Sequence, residues 1–554
     1  MPASSLASTP PEMVDNICSY LDKSSLSQTR LVNHYISLFA TSWLFREVKF
    51  DTRGTNKDLL AFTEIAQSAK LSRLVRKVDC TAFVTWNLSF FPYLDDRFRE
   101  SVRQLDTEDA SFIAGAVCVL PFITCFGNLS NLRVSFAFDP IHDAWPTLYT
   151  RSYFSDMDIE SGIIQIILQC LAGTWSFQRQ NAMSEILRQE TGDSYPCRRI
   201  LGPTSESTTL KSLELRDMNA ELDSRVANSA EFKTIMGRGG VVDFGLCAKN
   251  VAIIGTQGPL GADPRDEMDK FERLPKVWFI PDVAENLRAL SLAFGYNWGW
   301  HPKVDLETIS PTFPNLRELR LSDFIFSHER QAEWVASLGK NTRSGGLERL
   351  VLHKCRALYV AIHCAPLDFN ENGVGYPNKE NINSWWNPDW EEICSYFPIR
   401  WYTVFEGWQN SMPALISFQL DNFTDEDDTI DRYEEDLSGW DIYDGDDDFL
   451  DQWDAENADA YGPAPRKRLT EPKQDEGILN YTRFAQRGGQ RYHAVPKNHV
   501  GLPYDEAAFS EHVAQLIQNS QEPVGPCVAR DEEAAAQFLS LVKSRKQSAM
   551  ARLI

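Results

Sequence analysis

From Asp51 to about Phe423, short apolar segments recur with the spacing L-x-x-L-x-L. Full copies are Leu210, Leu213 and Leu215; Leu287, Leu290 and Leu292; Leu316, Leu319 and Leu321; and Leu347, Leu350 and Leu352. Leu415, Phe418 and Leu420 make a looser copy, and Leu129, Leu132 and Val134 an earlier one. The last two apolar residues of each copy lie two apart, so they share one face of a short strand, and the first anchors the turn into it. Stacked copies build one continuous core. Residues between or beside these positions point the other way and form the expected outward face of the strands: Glu214, Arg216, Ser291, Glu318, Arg320, Arg349, Val351, Gln419 and Asp421. The step from Leu287 to Leu316 is 29 residues and the next is 31, whereas other gaps of 77 and 68 imply degenerate copies or insertions.

The first fifty residues follow a helical period instead. Pro10 and Pro11 suit a first turn, Glu12 suits its positive end, and Met13, Ile17, Cys18 and Leu21 follow at three- and four-residue spacing. Asp22 to Ser25 reads as a turn in which Ser24 caps a second helix carrying Leu26, Arg30 and Leu31. A third helix, from about Val32 to Ala40, presents Val32, Tyr35, Ile36 and Phe39 ahead of Trp43, Leu44 and Phe45. Three such helices bury little among themselves, so part of their apolar surface is expected to meet something else.

The residues Pro10, Glu12, Met13, Ile17, Tyr20 and Leu21, then Leu26, Arg30, Val32 and Tyr35, and finally Leu44, Phe45 and Arg46, resemble the F-box in order and spacing. The tail "WLFREVKF" is similar to fungal members. Thr9 stands where the opening Leu is usual, and Tyr35 and Ile36 where a Trp-containing version is common. The resemblance implies docking on a Skp-type linker that bridges to a cullin and a ubiquitin-conjugating machinery. On that basis the linker-binding residues are Pro10, Met13, Ile17, Leu21, Leu26, Leu31, Val32, Trp43, Leu44 and Phe45. The strand copies in turn resemble an irregular leucine-rich repeat array, although only Cys355 occupies the repeat's usual Asn or Cys position. Together the two resemblances imply that the outward strand residues Glu214, Arg216, Ser291, Glu318, Arg320, Arg349, Val351, Gln419 and Asp421 bind the target. The alternatives are an ordinary helical hairpin packed on the next domain, and an unrelated α/β domain with amphipathic strands.

The fold expected is therefore α/β: a three-helix F-box at 1–50, a leucine-rich-repeat-like solenoid at 51–423, an acidic disordered loop at 424–465, and a C-terminal segment at 466–554. In that last segment Phe509, Val513, Leu516 and Ile517 mark one amphipathic helix, and Ala534, Phe538, Leu541 and Val542 a second, both acting as caps.

Charge alters this picture in one place. The net charge of -23 argues against nucleic acid or anionic lipid as a partner, but Asp425 to Asp459 alone holds 17 acidic residues against Arg432. That segment fits a disordered loop or solvated spacer. The 11 cysteines are scattered with no C-x-x-C, which favours a reducing compartment, cytoplasm or nucleus. The start "MPASSLASTPPEM" lacks the features of a secretory signal, and the apolar run Phe112 to Phe126 is interrupted by Pro121 and reads as core. Aromatic insertions such as "YNWGWHP" from Tyr296 and "SWWNPDW" from Ser384 read first as loops packed by buried Trp, and otherwise as binding anchors.

Enzymatic motifs fail on spacing. "GTQGPLG" from Gly255 lacks the Lys and Ser/Thr of a phosphate loop, and "DFG" at Asp243 has no kinase companions. His353, Cys355, His363 and Cys364 match no zinc class, and the acidic run offers no calcium-loop register. The expectation is a non-catalytic adaptor without cofactor or metal, whose target is an unidentified protein.

Overall fold

A computed structural model of the chain describes residues 9–52, 56–84, 114–138, 153–176, 210–219, 224–237, 240–250, 264–300, 313–341, 345–363, 393–421 and 528–552, four short strands between 367 and 492, and a few single positions. The chain divides into two units: Met1–Ala252 with Gln257–Gly261 and Lys276–Leu290, and Ile253–Thr256 with Ala262–Pro275 and Ser291–Ile554. The division falls inside the stretch read from the sequence as one repeat domain. The acidic segment and the helix expected around Phe509 lie outside the described residues.

The first unit opens with α1 (Pro11–Ser19), α2 (Lys23–Thr29) and α3 (His34–Leu44). Pro10 and Pro11 occupy the N-cap and first turn of α1, where a missing N–H costs nothing. Asp22, not Ser24, caps α2: its carboxylate accepts the Ser25 N–H at 2.7 Å, and this hydrogen bond holds it below the usual carboxylate range. Asn33 caps α3 by accepting the Ile36 N–H at 2.8 Å, so the third helix starts later than Val32, which is left in the turn before it. The small core of this bundle is Val14, Cys18, Leu26, Ile36 and Ala40, with Leu21, Tyr35, Phe39, Trp43 and Leu44 packed around it.

A parallel sheet follows, with β1 (Glu47–Asp51), β2 (Lys77–Val84), β3 (Asn131–Phe138), β4 (Ser212–Asn219) and β5 (Asp243–Asn250) adjacent in chain order. Its register aligns Val48, Val78, Leu132, Leu213 and Phe244 in one row and Phe50, Cys80, Val134, Leu215 and Leu246 in the next. All ten are buried. The apolar strand pattern therefore also occurs at Val75-x-x-Val78-x-Cys80 and Val241-x-x-Phe244-x-Leu246, copies hidden because leucine is replaced. Between strands run α4 (Asn56–Gln67), α5 (Tyr153–Ala172), α6 (Ser224–Asn228) and α7 (Ala230–Gly237).

A second ladder ties the turns. The Arg46 carbonyl accepts the N–H groups of Arg76 and Lys77, the Arg76 carbonyl those of Ser130 and Asn131, the Ser130 carbonyl those of Lys211 and Ser212, the Lys211 carbonyl those of Val242 and Asp243, and the Val242 carbonyl those of Arg288 and Ala289. Each acceptor stands one residue after the first apolar position of its copy. Buried backbone groups at the strand entrances are satisfied in this way regardless of the length of the intervening segment.

The apolar run ending at Phe126 is core, as its sequence implies. From Ala114 it is a π-helical turn, Ala114–Val119, that gives way to a 3-10 segment, Leu120–Cys125, where Pro121 supplies no N–H. Leu120, Phe122, Ile123 and Phe126 are fully buried, and Phe126 meets Phe62, which in turn meets Phe50. A Cβ added at Gly115 would collide with the Thr52 carbonyl. Gly115→Ala is accordingly expected to destabilise the first unit by about 1–3 kcal/mol, measured as a lowered urea midpoint of the unfolding phase that includes it.

After α8 (Pro264–Trp278) and α9 (Pro281–Ala284), the second unit contains β6 (Ala289–Trp298), β7 (Glu318–Phe326), α10 (Glu329–Ser337), β8 (Arg349–His353), β9 (Arg356–His363), the hairpin pair β10 (Leu367–Phe369) and β11 (Gly375–Pro377), β12 (Ile393–Tyr396), α11 (Trp401–Ser411), β13 (Ser417–Asp421), β14 (Tyr481–Arg487), β15 (Gln490–Tyr492) and α12 (Val528–Ala551). β7, β8 and β13 are parallel and align Leu319, Leu350 and Phe418, then Leu321, Leu352 and Leu420. The turn ladder recurs: Arg317 O accepts from Glu348 and Arg349, and Glu348 O from Ile416 and Ser417.

Asp217, Asp323 and Lys354 each stand two residues beyond the last apolar position of a copy and share a φ of 55°, 57° and 51°. This left-handed residue bends the strand. Beyond the bend at Asp323, β7 changes partner from β8 to β9, pairing Ile325 with Arg356 and Phe326 with Ala357. β9 then takes β14 in parallel and β12 antiparallel. Cys355 is buried at this bend and donates its thiol to the Leu321 carbonyl at 3.3 Å. Burial pushes that thiol well up, which suits a structural role.

Trp298 and Trp300 of the "YNWGWHP" insertion are buried, and their indole N–H groups donate to the carbonyls of Ser322 and Gly375. The second expected C-terminal helix is α12. Its Ala534, Phe538 and Val542 are buried, and Phe538 packs among Phe405, Trp408 and Phe418. Both ends of α11 are held by this one helix: Asp531 accepts the Tyr402 N–H at 2.8 Å, and the Arg545 guanidinium donates to Met412 O at 2.7 Å and Gln409 O at 2.9 Å.

Candidate functional site

Two surfaces carry the candidate residues. The first is the helical bundle at the N-terminus. α1 is apolar on two flanks: Val14, Cys18 and Leu21 turn toward the small core, while Met13, Ile17 and Tyr20 are 56%, 55% and 83% exposed. Each flank follows i, i+4, i+7 spacing, so both are continuous stripes. The turn before α3 exposes Leu31 and Val32 at 74% and 63%, because Asn33 starts the helix only after them. Large apolar side chains at this exposure therefore stand both on the first helix and in the turn before the third.

The expected linker-binding set is thereby split. Pro10, Met13, Ile17, Leu31 and Val32 are exposed. Leu26, expected on that face, is instead a core residue at 5% exposure, because α2 turns it toward Ile36 and Cys18. Leu21, Trp43 and Leu44 are half-buried against the same core, and Phe45 is half-buried at the start of the chain's passage into β1. Trp43 is fixed by donating its indole N–H to Asp15 at 2.8 Å and by the Arg46 guanidinium over its ring. The Tyr35 hydroxyl donates to the Thr9 carbonyl at 2.8 Å, so Thr9 contributes backbone where the F-box pattern has a leucine side chain. Tyr20 was missed as a surface residue, although its spacing from Met13 and Ile17 shows it.

The second surface is the outward side of the strands. In the first unit Arg133 lies between Glu214 at 2.7 Å and Asp79 at 3.8 Å, and Arg216 pairs with Glu214 at 2.6 Å. Asp79, Arg133 and Glu214 are direct register partners on β2, β3 and β4. Burial pushes the Glu214 carboxyl up, but Arg216 and Arg133 outweigh it and hold it below the ordinary carboxylate range. A depressed carboxylate stabilises the fold above its unfolded pKa, and that contribution is lost as pH falls through the folded value. Thermal stability is therefore expected to fall below about pH 4, and Glu214→Gln to flatten that decline, as measured by melting temperature against pH.

In the second unit Glu318 receives Arg320 at 2.6 Å and Arg349 at 3.5 Å, and Arg317 pairs with Glu348 at 3.1 Å. Ser291, Val351 and Gln419 are half-buried on their strands, and Asp421 ends β13 opposite His353. The geometry thus places Glu318, Arg320, Arg349, Val351 and Gln419 on neighbouring strands, while Glu214 and Arg216 belong to the first unit. Arg356, inside the bend, is lowered by burial, with Asp323 opposing.

Among the described residues no group of three His, Cys, Asp or Glu side chains is placed to hold a metal ion, and no helix is long and apolar enough to cross a membrane. Comparison with models of known protein families gives no match to this chain, and comparison with curated proteins gives none either.

Proposed function

We propose that this chain is the target receptor of a cullin-type ubiquitin ligase, with an F-box at its N-terminus and a degenerate leucine-rich-repeat-type solenoid behind it. The observation that carries this reading is the two-sided apolarity of α1: a helix that fills a core with one flank and exposes Met13, Ile17 and Tyr20 on the other is built to meet a second protein. A Skp-type linker is the partner that the residue order from Pro10 to Arg46 implies. The aligned leucine rows and the repeated carbonyl ladder support the solenoid reading, since each copy contacts its neighbours in the same way.

In this role the chain catalyses nothing. It raises the effective concentration of a target near the ubiquitin-loaded enzyme, and its place is the cytoplasm or nucleus. Affinity purification of the full chain from its own cells is expected to bring down the linker and a cullin together. Recovery of neither, with other proteins bound through the helical bundle, would favour a repeat scaffold with no link to ubiquitin.

A further inference from the structure

The outward face of β7 and β8 has an asymmetry that the first unit lacks. The first unit's network is balanced, with Arg133 and Arg216 against Asp79 and Glu214, and the arginines are 30% and 29% exposed beside a Glu214 at 26%. In the second unit, among the described residues, Arg320 and Arg349 pair with Glu318 and, just before the two strands, Arg317 pairs with Glu348, while Asp421 ends the neighbouring β13. Their guanidinium-bearing side chains are 48%, 52% and 44% exposed, while Glu318 is 22% and Glu348 31% exposed. The carboxylates lie beneath and the cations project above them.

Glu318 Oε1 is shared by Arg320 Nε and Arg349 Nη1, so one acid holds two guanidiniums in place from adjacent strands. A guanidinium has five N–H donors in a fixed fork, and most of those on Arg320 and Arg349 remain for an arriving oxyanion. The next row across the same strands is Arg320, Val351 and Gln419, which sets an apolar step beside Arg320. On a chain of net charge -23, guanidiniums more exposed than the carboxylates that hold them offer an approaching acidic segment donors to land on.

We infer that this face binds an aspartate- or glutamate-rich extended segment of a target protein, with Arg320 and Arg349 gripping its carboxylates and Arg317 beside them. This rests on the receptor reading above and assigns it a substrate chemistry. The ordering of two guanidiniums by Glu318 reduces the side-chain entropy lost on binding.

The test uses the full chain and a fluorescently labelled peptide of alternating aspartate and serine, followed by anisotropy. Binding is expected, with affinity falling as salt is raised. Arg320→Gln combined with Arg349→Gln is expected to weaken it at least about tenfold, and an asparagine-serine peptide is expected not to bind. The double variant must keep its melting temperature, and Arg530→Gln on α12, which pairs with Glu406, serves as a charge-loss control that leaves affinity unchanged. Failure of the acidic peptide to bind, equal binding of the neutral peptide, an unchanged affinity in the double variant, or binding only of a phosphoserine version overturns the proposal. Linker recovery with the same double variant is a separate reading: it persists if the receptor assignment is right and the peptide chemistry wrong, and is absent for the wild type if the receptor assignment itself fails.

Discussion

Phe538→Ala is expected to destabilise the second unit by about 3–5 kcal/mol. Phe538 is fully buried, with ring centroids 5.4 Å from Phe405, 6.2 Å from Trp408 and 5.0 Å from Phe418. Truncation removes aromatic contacts on three sides and leaves a cavity between α11, α12 and β13 that rigid rings cannot collapse into. The damage should spread beyond the hole. Once α12 loosens, Asp531 no longer caps the first turn of α11 and Arg545 no longer satisfies the carbonyls of Gln409 and Met412 at its end. A lower denaturant midpoint with faster proteolysis at the C-terminus is the expected readout. Retention of wild-type resistance would show that α12 is not the cap.

Met13→Asp together with Ile17→Asp is expected to abolish capture of a Skp-type linker while leaving the bundle folded. Both side chains are more than half exposed, so the substitutions change stability by no more than about 0.5 kcal/mol each. At an interface the same changes remove two anchors worth about 1.5–3 kcal/mol apiece and put carboxylates where apolar contact is needed, a loss on the order of a thousandfold in affinity. Leu21→Asp would be a poor substitute, because Leu21 packs against the bundle core and its loss would confound misfolding with lost binding. The circular dichroism spectrum and linker binding must therefore be measured on the same preparation.

The strands were legible because their period is two and their apolar residues are mostly leucine. Each recognised copy became a strand entrance with its leucines buried, from Leu129 to Leu420, apart from the half-buried Phe418. The copies at Val75 and Val241 escaped notice for a chemical reason: Val, Cys and Phe fill the same rows as leucine but do not repeat a letter. The helical bundle was legible in its elements and less so in its faces. Leu26, expected on the docking face, is core, while Tyr20, which the sequence marks as an F-box position but not as a docking residue, is the most exposed large apolar side chain of the bundle. The cap explains part of this. With Asn33 as the cap of the third helix, Val32 falls in the preceding turn and is exposed there, outside the helical period.

The clamp on α11 and the projecting arginines were beyond sequence reasoning, since Asp531 and Tyr402, or Glu318 and Arg349, are brought together only by the tertiary fold. The bend residues Asp217, Asp323 and Lys354 were hidden for the opposite reason: their shared position in the repeat is plain once the strands are aligned, but nothing in their side chains announces a left-handed backbone.

Whether the exposed stripe of α1 docks on a Skp-type linker is decided by isothermal titration of the purified full chain with that purified linker. A saturable one-to-one complex with a negative heat-capacity change is expected, as burial of Met13, Ile17, Tyr20, Leu31 and Val32 requires. No heat and no complex at any attainable concentration, from a chain shown to be folded, would contradict it.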